Sequence, residues 1–278
     1  MKIGYLGPNG SFTHNVALAV FPQEELIAFD SITNVIQNKE NDFVDYAIVP
    51  VENAIEGSVH ESIDYLFHQS NLEAIYEIIQ PIKQCLLVTD LSKEIEVVYS
   101  HPQAIAQSRK FIEKYYQNIS FEVTSSTAFA AKFISENPEK PFAAIAPLAA
   151  QKEYGLKILE KDIQEIDANF TRFWILGSRK YEKQISLERK KSKMSLALTL
   201  PNNLPGALYK ALSVFAWRGI DLTKIESRPL KTVLGEYYFI IDLLLENETL
   251  LTYALEELLN MGINFKVLGK YPVYIMGD

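Results

Sequence analysis

The chain has 278 residues, 48% hydrophobic and 22% charged, a mix that suits about two globular domains with buried cores. Its formal charge of -8 excludes the broad basic face of a nucleic-acid binder, so any anion site must make its positive potential locally. No run approaches the roughly 18 apolar residues of a membrane span, and the single cysteine, Cys85, excludes an intramolecular disulfide.

From the start of the chain, Met1–Pro8 passes from a short strand-like run into a glycine-proline turn rather than a secretory leader, so a cytoplasmic location is expected. Up to residue 177, strands are expected at 2–6, 26–29, 46–51, 72–79, 84–89, 97–99, 121–124, 142–146 and 172–176. Helical patterns fall at 12–21, 32–38, 59–68, 103–116 and 128–136. Such alternation predicts an α/β fold with largely parallel sheets, which collects helix N-termini at the carboxyl ends of strands. Ser11, Ser31, Ser58 and Ser126 are the expected helix N-caps.

Residues 179–193 concentrate Lys180, Lys183, Arg189, Lys190, Lys191 and Lys193, and read as a solvated linker. Beyond them come a strand at 194–200, a helix at 205–217, strands at 221–226 and 236–245, a helix at 249–261 and a strand at 264–268. That βαββαβ order is the order of a ferredoxin-like unit. Pro205 stands near the first turn of its first helix, where a missing N–H costs little.

Five segments carry candidate chemistry. Gly7-Pro8-Asn9-Gly10-Ser11-Phe12-Thr13-His14 is either an anion cradle or, the preferred reading, a capped strand-to-helix turn. Glu52 and Asn53 end a strand and either orient a polar ligand or satisfy the loop backbone. A third segment, Tyr99–Gln107, brings Ser100 and Gln107 to another strand-to-helix turn. Ser125, Ser126 and Thr127 line up hydroxyls at a helix entry, a good carboxylate site because donors and dipole act together. Finally, Thr171 and Arg172 stand where a strongly apolar strand begins. Thr171 is a proton donor or a strand-edge residue; Arg172 is a bidentate carboxylate anchor or a structural ion pair. The four histidines, His14, His60, His68 and His101, lack metal-ligand spacing, so no metal is expected.

Together, and in order, Gly7–His14, Val49–Val59, Ser100–Gln107, Ser126-Thr127-Ala128 and Thr171-Arg172-Phe173 resemble the prephenate dehydratase family. The later part resembles an ACT regulatory domain through Gly206-Ala207-Leu208, Glu226-Ser227-Arg228-Pro229 and Tyr237–Asp242. Ala54 departs from the family, which usually has a small hydroxyl residue there, so no role for that hydroxyl carries over.

The resemblance implies a periplasmic-binding-protein-like catalytic region at 1–178, followed by the 179–193 linker and an ACT domain at 194–278. One lobe would hold about 1–80 plus 169–178 and the other about 82–168, with the active site between them. It implies conversion of prephenate to phenylpyruvate without a cofactor, with Thr171 as proton donor and Ser126 and Thr127 holding a carboxylate. Glu52, Asn53, Ser100, Gln107, Arg172 and Phe173 are the further substrate-binding expectations, Phe173 also reading as core. L-phenylalanine is the implied effector, at Gly206, Ala207, Leu208, Glu226, Ser227, Arg228 and Pro229, in a homodimer or homotetramer. An internal Glu226–Arg228 ion pair is the structural alternative for that segment. Arogenate dehydratase and a non-catalytic amino-acid sensor are the rival functions; neither nucleic acid nor membrane is an expected partner.

Overall fold

The computed structural model describes residues 1–116, 118–177, 185–200, 205–231 and 236–277. Strand β1 (Lys2–Leu6) passes through helix α1 (Phe12–Val20) to β2 (Glu25–Phe29), then through α2 (Ile32–Glu40) to β3 (Tyr46–Asn53). β1 pairs in parallel with both β2 and β3, because a helix crosses over between each strand and the next. Ser11 and Ser31 cap the two helices by accepting from the N–H groups of His14 and Asn34. Each thereby satisfies an amide that the first helical turn leaves free.

The short β4 (Gly57–Ser58) folds back on β3 before α3 (His60–His68). Ser58 therefore does not cap α3 as the sequence suggested; Val59 holds the cap position without a side-chain bond. The Ser58 hydroxyl is instead engaged by Glu226 and Lys224, far along the chain.

β5 (Ala74–Pro81) leads into a second sheet made from β6 (Cys85–Val88), β7 (Val97–Ser100), α4 (Pro102–Tyr115), β8 (Ser120–Val123), α5 (Thr127–Ser135), β9 (Phe142–Ala146), α6 (Leu148–Glu153) and β10 (Lys157–Glu160). Its strand order is β10-β6-β9-β7-β8. β11 (Phe170–Gly177) then returns to the first sheet between β3 and β5.

The expectation of largely parallel sheets needs correction. β7, β8 and β9 pair in parallel, but β11 is antiparallel to both its neighbours, and β6 is antiparallel to β9 and β10. The reason is connectivity: β11 re-enters from the second sheet and so runs against the strands it joins, with no crossover helix to restore direction.

After β12 (Glu188–Arg189), the chain forms β13 (Lys193–Thr199), α7 (Ala207–Ala216), β14 (Leu222–Pro229), β15 (Tyr237–Leu244), α8 (Glu248–Asn260), β16 (Asn264–Tyr271) and β17 (Val273–Ile275). The expected βαββαβ order is present from β13 to β16, with antiparallel strand order β14-β15-β13-β16. This C-terminal unit is not a bead on a string. β16 and β17 both pair with β5, giving one twelve-stranded sheet among the described residues. The junction requires Gly269, where an added Cβ would lie 2.5 Å from the Ala74 carbonyl oxygen.

One core spans the junction, taking Trp174 from β11, Leu66 from α3, and Tyr238, Ile240 and Tyr271 from the C-terminal unit. The expected linker is accordingly revised. Residues 179–184 lie outside the described residues, but Ile185 is buried in the first-sheet core and β12 pairs with β17. The stretch 202–204, read as the approach to α7, is likewise outside them. No helix among the described residues is long and apolar enough to cross a membrane.

Candidate active site

β11 places Thr171 opposite Asn53 of β3 on one side and Gln80 of β5 on the other. The β3–β11 register slips between Arg172, opposite Glu52, and Phe173, opposite Pro50, so Val51 is an extra residue. A bulge suits this place, because Pro50 has no N–H to give the ladder. It turns the end of β3 so that Asn53 meets Thr171.

Asn53 Nδ2 donates to Thr171 Oγ1 at 2.9 Å and to Asn169 Oδ1 at 2.9 Å. Its Oδ1 accepts from the backbone N–H groups of Ile55 and Glu56 at 3.0 and 3.1 Å. The loop-backbone alternative therefore describes Asn53 Oδ1, while its Nδ2 is spent on the Asn169 and Thr171 side chains. With one lone pair of Oγ1 occupied by an N–H donor, the Thr171 proton is left for another acceptor. Donation to Oγ1 also polarises the hydroxyl, as in any chain of hydrogen bonds.

Thr171 opens on a cavity of about 260 Å3 between the two sheets, where it meets Ser126, Thr127, His101 and Gln107 from the second sheet and Gln84 from the crossing between β5 and β6. Ser126 caps α5 by accepting from Phe129 N–H at 3.0 Å, which leaves its own hydroxyl proton to give. Thr127 is the first residue of that helix. Two hydroxyls and a helix N-terminus make this wall suited to a carboxylate. The polar line continues across the cleft, since Asn169 Nδ2 donates to Gln107 Oε1 at 3.4 Å while Gln107 Nε2 is buried and unpartnered. A larger cavity of about 730 Å3 lies behind the crossing segment, against α1 and α6, but contains neither Thr171 nor the α5 entry. The hydroxyls and amides around Thr171 converge in the smaller one, whereas Lys83, Lys152, Lys161, Glu153 and Asp162 line the larger.

Four expected substrate contacts sit elsewhere. Ser100 is fully buried and donates to the Ile145 carbonyl at 2.6 Å, tying β7 to β9. Phe173 is 1% exposed and belongs to the core. Arg172 and Glu52 face away from Thr171, as alternation along a strand requires. The Arg172 guanidinium donates to Glu52 at 2.5 Å, Glu77 at 2.5 Å and Asp242 at 2.7 Å. Glu77 and Asp242 are both buried, and Lys193 also reaches Glu77, at 3.2 Å. Burial opposes the Arg172 charge, yet the carboxylates of Asp242 and Glu77 outweigh it and hold its pKa well above the ordinary value. Burial likewise pushes the Glu52 carboxyl up, but Lys224 and Arg172 bring it below the usual range. The guanidinium is thus saturated by protein carboxylates, and the ion-pair alternative describes it.

The glycine-rich first segment forms the capped turn, with Gly10 N–H donating to His14 Nδ1 at 2.9 Å. It also contacts the second sheet. Asn9 Nδ2 donates to Glu153 at 2.8 Å, and Tyr154 Oη donates to the Asn9 carbonyl at 2.7 Å.

Among the expected effector residues, Gly206 adopts φ 82 at the cap of α7, followed by Ala207 and Leu208, and Ser227 and Pro229 pair with β15. Glu226 and Arg228 do not pair with each other. Glu226 meets Ser58, and Arg228 donates to Asp64 of α3 at 3.1 Å. Burial raises the Asp64 carboxyl, but bonds from Lys231, Tyr238 and Arg228 prevail and leave it at about 2.

Sequence reasoning did not single out Gln84, His101 or Asn169 as cavity residues. Asn169 and Gln84 fall in connections whose path only the fold determines. His101 precedes Pro102 and takes the N-cap of α4, its Nδ1 accepting from Gln103 N–H at 3.4 Å.

Comparison with known proteins adds an independent line. The prephenate dehydratase family model matches residues 3–181. The chain belongs to the prephenate dehydratase family. A prephenate dehydratase of Lactococcus lactis subsp. cremoris is 50% identical over 280 residues, covering all of both chains. The crystal structure of prephenate dehydratase from Streptococcus mutans is 45% identical, covers 99% of each chain and superposes with a TM-score of 0.65. Prephenate dehydratase from Arthrobacter aurescens, solved in complex with L-Phe, is 30% identical, with a TM-score of 0.85 over 98% of this chain and 89% of that one. The family match covers the Thr171 strand, the second sheet and the strands of the first sheet up to β11, and so every residue that lines the cavity.

Proposed function

We propose that the protein is a prephenate dehydratase, a decarboxylating carbon–oxygen lyase that turns prephenate into phenylpyruvate, water and carbon dioxide. Prephenate carries a carboxylate on its ring, another on its pyruvyl arm, and a ring hydroxyl. Thr171 delivers a proton to the hydroxyl oxygen as the carbon–oxygen bond breaks, and a proton taken up from solvent restores its own hydroxyl. The bond to the ring carboxylate breaks with it, and its electron pair completes the aromatic ring as carbon dioxide leaves. Aromatisation drives the reaction, so the protein's task is orientation and a timely proton.

The observation that carries this reading is the Asn53-to-Thr171 hydrogen bond at 2.9 Å, at the wall of a cavity whose other side is the α5 entry. Ser126 and Thr127 hold the pyruvyl carboxylate there. The ring carboxylate loses its charge in the transition state, so strong donors on it would stabilise the ground state more. The second sheet and the β1–β5 and β11 part of the first form two lobes of a periplasmic-binding-protein-like catalytic region over 1–178, and 194–278 form an ACT domain. The protein acts in the cytoplasm as a dimer or tetramer. Incubating the purified protein with prephenate should give phenylpyruvate; no phenylpyruvate, with or without turnover of arogenate, would refute the assignment.

Phenylalanine is the proposed effector, supported by the L-Phe complex of the Arthrobacter aurescens relative. It binds across paired ACT domains near Gly206 and shifts the cleft only if it favours one state over another. The path to the site is short. β14 holds Ser58 and Asp64 through Glu226 and Arg228, and Asp242 of β15 holds Arg172, the neighbour of Thr171. Calorimetry with millimolar phenylalanine should register binding, and none would exclude this regulation while leaving the catalytic proposal intact.

A further inference from the structure

The larger cavity has the volume of a small-molecule site, about 730 Å3. It lies between α1 of the first sheet and α6 of the second, and both crossings between the sheets border it, through Pro81 and Lys83 on one and Lys161 and Asp162 on the other. Among the described residues it shares only Phe12 with the lining of the Thr171 cavity. His14 of α1 places a donor at its wall. The residue is 6% exposed, and its ring stacks on Tyr5 with centroids 5.0 Å apart. Its Nδ1 accepts from Gly10 N–H at 2.9 Å, in the turn before α1. Burial lowers the His14 pKa more than Glu153 raises it, so the ring is neutral and its one N–H proton sits on Nε2. That nitrogen has no partner among the described residues, yet it is not shut off from solvent as the amide oxygens of Gln80 and Gln84 are. A side chain held this firmly by Tyr5 and Gly10 offers its free N–H at little further cost in entropy.

We propose that this cavity is a second ligand site, for a small monocarboxylic acid with an apolar body. The carboxylate takes the His14 Nε2–H and the ammonium groups of Lys152 and Lys161, and the body lies against Phe12, Leu18, Leu148 and Met276. Lys152 and Lys161 are exposed and join no ion pair among the described residues. In a chain of formal charge -8, two such cations at one cavity make a local positive potential. Glu153 and Asp162 line the same cavity and limit the charge it accepts. They repel a dianion such as a phosphate monoester, but Glu153 is already engaged by Asn9 at 2.8 Å, so one negative charge is tolerated. Leu18 and Leu148 are 43% and 46% exposed, and covering them adds apolar burial to the charge attraction. The occupant touches α1 and α6 together and so braces the two sheets beside their crossings.

The test is calorimetry of the full-length protein with 4-methylpentanoate, which has one carboxylate and no ring, and with 4-methylpentan-1-ol as the neutral control. The acid should bind one per chain at millimolar concentration or below, and the alcohol at least about tenfold more weakly. Lys152→Met and Lys161→Met together should weaken binding of the acid by about fivefold or more. Ala149→Trp, which fills the cavity from α6, should abolish it. In NMR spectra the imidazole resonances of His14 should move with the acid. Thr171→Ala should bind the acid as the parent does, and prephenate added to that variant should not displace it. No saturable binding of the acid, equal binding by the double lysine variant, or displacement by prephenate would each overturn the proposal. If Ala149→Trp fails to fold, an unmoved His14 resonance at saturation overturns it as well. None of these readouts depends on turnover, so a failure here and a failure of the dehydratase reading are separate results.

Discussion

At the residue scale, the reactivity assigned to Thr171 depends on its partner. Asn53 spends Nδ2 on Thr171 and Asn169, and Oδ1 on the Ile55 and Glu56 amides. Asn53→Asp preserves the acceptor that orders the loop and removes the donor that orients the hydroxyl. It should lower kcat about tenfold or more, the size of one well-placed hydrogen bond, and combine less than additively with a change at Thr171. Kinetics of the two single variants and the double variant check this; full additivity would separate the residues. Thr171 and Asn53 were visible in the sequence as parts of an ordered set of motifs. The fate of Arg172 was not, because its buried partners Glu77 and Asp242 lie 95 and 70 residues away. Ser100 misled for a related reason: a serine after a strand looks the same whether its hydroxyl meets a ligand or a neighbouring strand's carbonyl.

At the scale of elements, the turn after β1 does more than start a helix. Gly10 has φ +76, and an added Cβ would stand 3.0 Å from Ala150 Cα in α6 of the second sheet. Gly10→Ala meets both a left-handed backbone and that contact. It should cost about 1–2 kcal/mol and raise KM by holding the sheets apart; denaturant midpoints and prephenate kinetics test the two parts. A midpoint equal to that of the parent would show that the close approach is not maintained in solution. Most longer elements were legible from periodicity, and Ser11, Ser31 and Ser126 cap helices as the local chemistry required. The two-residue strands β4 and β12 carry too few residues for a period, and α6 and β10 were also passed over. Strand direction was misjudged because α/β alternation does not reveal that β11 comes back from another sheet.

At the scale of the whole molecule, charge joins the C-terminal unit to β11, β5 and α3. Arg172 faces Glu77 and Asp242, so Arg172→Leu strands two buried carboxylates and should cost about 3–5 kcal/mol in chemical denaturation. A loss below about 1 kcal/mol would mean that the cluster relaxes into water. Asp64 gives the same junction a pH dependence. Its folded pKa of about 2 lies below the ordinary 3.8, so its stabilisation is complete above the unfolded value and is lost as pH falls through about 2. The stability difference between the parent and Asp64→Asn should therefore shrink from about pH 5 towards pH 2, and a constant difference would remove Asp64 as the cause. The sequence indicated a second unit with βαββαβ order, but no local pattern announced that β16 and β17 would extend the first sheet through β5. The central claim is that the chain dehydrates prephenate with Thr171 as the proton source. Its most direct test is steady-state phenylpyruvate formation by the parent, Thr171→Ser and Thr171→Ala. The account predicts that Ser retains most of the turnover and Ala loses about 10²–10⁴-fold in kcat. Near-normal turnover by Thr171→Ala would contradict it.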